Sequence, residues 1–187
     1  MAKEASEVVK DSYAFMCLPK QDLVSALTNV RLRNFSQGTV VMTKGRNVGR
    51  VLVLKSGSVD IRVNGKVLAT RKRGDLLGEV CAFSYAYNHT PPPSTLDALK
   101  HMRKTQNMTS QVCVADAVVT ESASAYEIMT SDLAPLFKSS EEMVQRLGEL
   151  SSQTIYQAAH AGSKTASIII DKAQASSPPT RTTSLMG

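Results

Sequence analysis

The sequence predicts a mainly β domain, a sandwich, barrel or jelly roll, with helices before and after it. Three observations lead there. From about residue 30, short apolar or alternating runs recur roughly ten residues apart, separated by turns that contain glycine. Val59-Asp60-Ile61-Arg62-Val63 and Lys66-Val67-Leu68-Ala69-Thr70-Arg71 flank Asn64-Gly65, the dipeptide that most readily supplies two consecutive positive φ angles, and so read as a hairpin. At both ends of the chain the apolar spacing changes to three and four residues, the period of a helix.

The first helix is expected over about residues 3 to 17, where Ala5, Val8, Val9, Ser12, Tyr13 and Met16 form one stripe. Leu18-Pro19-Lys20 breaks the chain and restarts it as a short second helix with Leu23, Val24 and Leu27 inward. Strands follow at Arg31 to Phe35, Val40 to Thr43, Val51 to Leu54 and the two arms of the hairpin. Val112-Cys113-Val114 and about Val118 to Met129 add two more, joined by a turn at Ala115-Asp116-Ala117. Between the two sets, residues 84–110 read as an insertion, because Pro91-Pro92-Pro93 donates no ladder hydrogen bonds. Thr130-Ser131-Asp132 caps a turn of helix through Phe137. Ser139 and Glu142 have capping-box spacing ahead of a longer helix striped by Met143, Val144, Leu147, Leu150, Thr154, Ile155 and Ala158. The division is thus an N-terminal helix at 1–19, the domain at 20–160 and a tail at 161–187. Its Ala, Ser and Thr composition makes the tail disordered or ordered by a partner, with Ile168-Ile169-Ile170 as its one apolar patch.

Composition narrows the function. No stretch approaches the roughly 18 consecutive apolar residues of a membrane span, and the N-terminus lacks a signal-peptide pattern, so an intracellular protein is expected. Lys and Arg number 22 against 16 Asp and Glu, a net charge of +6, but tryptophan is absent and aromatics are 5%, leaving few platforms on which bases could stack. The charge therefore suits a solvated face or an acidic protein surface, such as a microtubule lattice, better than nucleic acid. Cytoplasmic or cytoskeleton-associated residence, a cilium or flagellum included, is the matching localisation. Cys17, Cys81 and Cys113 are odd in number, lack CxxC spacing and sit among apolar neighbours, as buried reduced thiols do. His89, His101 and His160 lie far apart without metal-pair spacing, and no GxSxG, Walker or Rossmann glycine pattern is present, so no enzyme and no metal are expected.

Several segments, in order, resemble the cyclic-nucleotide-binding domain family of protein kinase A regulatory subunits, nucleotide-gated channels and the bacterial catabolite activator. They are Phe35-Ser36-Gln37-Gly38-Thr39-Val40-Val41, Gly45, Val51-Leu52-Val53-Leu54-Lys55-Ser56-Gly57-Ser58-Val59 and Arg73-Gly74-Asp75-Leu76-Leu77-Gly78-Glu79-Val80. The likeness covers roughly residues 20 to 155 and implies an eight-stranded jelly roll between helices. It also implies a ligand segment at Leu77 to Phe83: Glu79 matches the glutamate that accepts the ribose 2′-hydroxyl, Gly78 permits close backbone approach, and Val80 and Cys81 present amides to the cyclic phosphate.

The sequence departs from that pattern at the arginine that neutralises the phosphate, whose position falls near Thr109. Arg103 or Lys104 of the insertion could replace it, or the insertion could fill the pocket. Too few residues follow the long helix for a helix-turn-helix domain, so a catabolite-activator-like transcription factor is not expected. Arg181-Thr182-Thr183-Ser184 has the spacing that basophilic kinases accept at serine. The expected function is a non-enzymatic structural or adaptor module on a degenerate domain of this family, acting with protein partners in a larger assembly and without cofactor. The alternative is a cAMP or cGMP sensor that regulates a partner through its C-terminal helix.

Overall fold

The structure, a computed structural model, describes residues 1–89 and 112–175. Helices α1 (Ala2–Val9) and α2 (Lys20–Ala26) precede strands β1 (Arg31–Phe35), β2 (Val40–Met42), β3 (Arg50–Val63), β4 (Lys66–Arg71) and β5 (Leu76–Leu77). Helix α3 (Glu79–His89), strand β6 (Asp116–Met129) and helices α4 (Ala134–Ser139), α5 (Glu141–His160) and α6 (Lys164–Ala175) complete the described chain.

All strand pairs are antiparallel, and two long strands organise them. β3 pairs with β6 from Arg50↔Met129 to Arg62↔Asp116, with register shifts around Ser56 and Ser58. β1 and β2 line the two halves of β6, and β5 and β4 line the two halves of β3. Each long strand bends at register shifts in its middle and serves as two, which reconciles the six strands among the described residues with the eight of the expected jelly roll. Gly57 makes the bend possible: its φ is +79°, and a Cβ there would lie 2.5 Å from the Ser122 carbonyl oxygen and 2.6 Å from Ala123 Cα.

The apolar run Val51-Leu52-Val53-Leu54 is buried on both faces, the pattern of a strand between two layers. Val51 and Val53 face a core of side chains from α1 to α5 and from the turns after α1, Phe15, Leu23, Phe83, Phe137 and Leu147 among them. Leu52 and Leu54 face the interior of the roll with Met42, Val59, Leu77, Val119 and Ala125. In a third cluster, Val63, Val80, Val114 and Ala115 meet Ile155 and Ala158 of α5 and Ala166 and Ile169 of α6. The hairpin forms as expected, with Asn64 at φ +51° and Gly65 at +80° between Val63 and Lys66.

Several boundaries differ from the sequence reading. The N-terminal helix ends at Val9, not near residue 17. Beyond Lys10 the chain tightens into turns closed by three-residue bonds, Asp11 N–H to Val8 O, Ser12 N–H to Val9 O and Phe15 N–H to Ser12 O. That tighter winding turns Ala14 and Phe15 inward and leaves Tyr13 and Met16 of the expected stripe exposed, while Ala5, Val8, Val9 and Ser12 are buried as expected. Val112-Cys113-Val114 is not a strand, and β6 begins at Asp116. Residues 84–89, read as the start of an insertion, continue α3; the rest of that segment, with Thr109, Arg103, Lys104 and His101, lies outside the described residues.

The cap of α5 is Ser140, whose Oγ accepts from the Met143 amide at 3.2 Å, one residue beyond the expected Ser139. The tail differs most. Residues 164–175 form a helix whose Ala166 and Ile169, three residues apart on one helical face, are buried against the domain itself. Ser163 ties this helix in place: its hydroxyl donates to the Val114 carbonyl at 2.9 Å and accepts from the Ala166 amide at 3.4 Å. Arg181 and Ser184 lie outside the described residues. No helix among the described residues is long and apolar enough to cross a membrane.

Candidate functional site

The site forms where β5 ends and α3 begins. Gly78 stands at the junction with φ +89°, and a Cβ on it would lie 2.8 Å from the Arg50 carbonyl oxygen and 3.0 Å from Met42 Cε, so the turn runs close against β3. The Ala82 amide donates to the Gly78 carbonyl at 3.0 Å, starting the helix and leaving Glu79, Val80 and Cys81 in its first turn.

The three side chains that follow Gly78 go to different places. Glu79 is 7% exposed, and its Oε1 accepts from the Thr154 hydroxyl of α5 at 2.6 Å. Its backbone carbonyl accepts from the Ser151 hydroxyl, one turn earlier on α5, at 3.0 Å. Val80 packs in the third cluster with Ile155 and Ile169. Cys81 points into the roll, where its Sγ lies 4.0 Å from Cys113 Sγ. The structure thus brings together Gly78, Glu79, Val80 and Cys81, the described members of the sequence-derived set.

These groups border a cavity of about 40 Å³, lined also by Leu77, Cys113, Ala115 and Thr154. Sites for molecules of nucleotide size run to about 300–1,000 Å³, whereas 40 Å³ holds about three waters. Among the described residues Glu79 is the one charged side chain in the lining.

The two thiols are electrostatically unequal. The hydrogen bond from Cys113 holds the Cys81 thiol below its ordinary value against the opposing effect of burial. The same bond, together with burial, pushes Cys113 up. The positive end of α3 acts in the same direction on Cys81.

Sequence reasoning missed Ser151 and placed Thr154 in the apolar stripe without a role. The available signal was two hydroxyls three residues apart on the inward face of a helix, since buried hydroxyls need partners. The far half of α5 is held by the turn after α1: Tyr13 Oη donates to Glu149 Oε2 at 2.5 Å, and Arg146 donates to the Tyr13 carbonyl at 3.1 Å. His89 and His160 bond locally, each through Nδ1 to the carbonyl four residues earlier, Tyr85 and Tyr156, at 2.8 Å. Among the described residues no cluster of three His, Cys, Asp or Glu could hold a metal.

No family model matches the sequence. Among curated proteins, the Pycsar effector protein XpPycTIR of Xanthomonas perforans is 38% identical over 64 residues, which cover 34% of this chain and 21% of that protein. The match therefore spans about a fifth of that relative's length. Solved structures resemble the chain over more of its length. The sensor domain of the transcriptional regulator DNR from Pseudomonas aeruginosa superposes with a TM-score of 0.55 at 17% identity, covering 79% of this chain and 91% of that one. The regulatory domain of Toxoplasma gondii PKA with cAMP gives 0.54 at 15% identity, covering 73% and 45%. The fold is that of the cyclic-nucleotide-binding domains.

Proposed function

We propose that this chain is a non-enzymatic regulatory or adaptor module on a cyclic-nucleotide-binding-type roll whose ligand pocket is occupied by its own helix α5. One observation carries the reading: the carboxylate matching the ribose acceptor, Glu79, is buried and already bonded to Thr154 of α5. The small cavity agrees with it, as does the lack of any lysine or arginine in the described lining, since a desolvated phosphate requires a cation. On this reading the helices that cover the pocket hold the domain in one conformation, and function resides in protein contacts favoured by the basic net charge.

A second reading, the working sensor, has one observation in its favour. The group that occupies Glu79 is a hydroxyl, the same group a ribose would present. A ligand 2′-hydroxyl could replace Thr154 on the carboxylate and release α5 toward a partner. Ligand would then bind the open state better than the closed one, as a switch requires.

Isothermal titration with cAMP and cGMP separates the two. The adaptor reading expects no binding up to about millimolar ligand, a level corresponding to about −4 kcal/mol, in wild type and in Thr154→Val alike. Micromolar binding that Glu79→Ala abolishes overturns it. In that case Thr154→Val, which removes the competing hydroxyl, tightens binding by about tenfold on the sensor reading.

A further inference from the structure

We propose that Cys81 and Cys113 are a peroxide-responsive thiol pair that closes to an intramolecular disulfide within the cavity. The inference is independent of whether any nucleotide binds.

The geometry comes first. The sulfurs are 4.0 Å apart in the reduced protein, 32 residues apart in sequence, and both line the same cavity. A disulfide needs about 2.05 Å between sulfurs, so the remaining gap of about 2 Å is of the size that side-chain rotation spans. The backbones on either side are fixed. Cys81 sits in the first turn of α3, while Cys113 donates its amide to the Arg46 carbonyl at 2.9 Å and accepts from the Gly45 amide at 2.8 Å.

Access selects the oxidant. Both thiols are buried, at 5% and 7% exposure, so a bulky disulfide reagent cannot reach either sulfur. Hydrogen peroxide is close to water in size, and the cavity holds about three waters.

The chemistry balances with that oxidant alone. The Cys81 thiolate attacks one peroxide oxygen; the O–O bond breaks, and the departing hydroxide leaves as water with the proton released by the Cys81 thiol. The resulting sulfenic acid is attacked at sulfur by the Cys113 thiolate. The S–S bond forms, the S–O bond breaks, and the second hydroxide leaves as water with the Cys113 proton. Each sulfur gives up one electron, and the peroxide takes both. Cys81 is the attacking thiol because the hydrogen bond from Cys113 favours its thiolate.

Closure has a structural consequence. Residue 114, next to Cys113, carries the carbonyl that holds Ser163 and through it α6. The disulfide therefore joins the start of α3 to the anchor of the last helix.

The 187-residue chain with Cys17→Ser, which retains just the two thiols in question, tests this. After brief treatment with hydrogen peroxide, intact mass should fall by two hydrogens. A non-reducing peptide map should show Cys81 joined to Cys113, Tm should rise by roughly 10 °C, and dithiothreitol should reverse all three. Oxidised glutathione should act at least tenfold more slowly. In protein carrying both Cys17→Ser and Cys113→Ser, Cys81 should stop at a sulfenic acid, read by intact mass as one added oxygen that dithiothreitol removes. In the Cys17→Ser protein, oxygen addition without cross-linking, a cross-link between two chains, or thiols that remain alkylatable at the original rate would each overturn the proposal.

Discussion

The hydroxyl of Thr154 lies 2.6 Å from Oε1 of Glu79, and neither side chain is more than 7% exposed. This bond fastens the middle of α5 to the first residue of α3. With Ser151 on the Glu79 carbonyl, it makes the start of α3 and the covering helix one unit.

Replacing Thr154 with Val keeps the shape and removes the donor, leaving a buried carboxylate short of a partner. Stability should fall by about 1–3 kcal/mol in urea titration, and Thr154→Ser should recover most of it. A loss in Thr154→Ser with none in Thr154→Val would show that the methyl group, not the hydroxyl, is what the site uses.

Gly78→Ala puts a methyl group 2.8 Å from the Arg50 carbonyl on backbone of positive φ. A loss of roughly 2–4 kcal/mol is expected. Gly38 shares the sign of φ but faces open space, so Gly38→Ala should cost about 1 kcal/mol. Thermal melts of the pair separate the close approach from the dihedral.

Serine scanning reads the start of α5. Ser140→Ala should lose about 1 kcal/mol, because it removes the acceptor for the Met143 amide. Ser139→Ala, whose hydroxyl bonds the Leu136 carbonyl at 3.3 Å, should stay within about 0.5 kcal/mol. The opposite order would return the cap to the position the capping-box spacing suggested.

Adjacent isoleucines on α6 give a test of its docking. Ile169 is 8% exposed and Ile168 53%. Ile169→Ala should cost about 2 kcal/mol and Ile168→Ala under about 0.5 kcal/mol in chemical denaturation.

The carboxyl of Asp60 is held below the ordinary aspartate value by hydrogen bonds from Arg62, at 2.8 Å, and from Thr70, at 2.8 Å. A depressed folded value means the stabilisation is complete above the unfolded pKa, near the ordinary 3.8, and is lost as pH falls below it through the folded value. Stability of wild type should therefore drop more steeply below about pH 4 than that of Asp60→Asn. Parallel acid limbs in the two proteins would refute the assignment.

Much of the roll was legible because its signals are local. Asn64-Gly65 dictates its own φ angles, and the β3 alternation at Val59 to Val63 declares its faces. The bend at Gly57 was visible as a glycine but not as a crossing of two backbones, since Ser122 and Ala123 are distant in sequence. Glu79 was found through its neighbours in the motif, whereas its bond to Thr154 depends on how α5 is rotated, which a stripe defines no better than one position either way. The same ambiguity hid Ser151, which is buried beside the partly buried Leu150. The Cys81–Cys113 pairing had no local sign, because the two approach only once α3 and the segment before β6 close on the roll.

Ser163 serves two masters with one oxygen: it starts α6 and grips the Val114 carbonyl. The last described helix is therefore footed both on the apolar contacts of Ala166 and Ile169 and on this one oxygen. Any displacement of residues 112–115 loosens its first turn, and any pull on α6 tugs at the chain leading into β6. The terminal helix is a gauge coupled to the rim of the roll, readable from outside without entering the pocket.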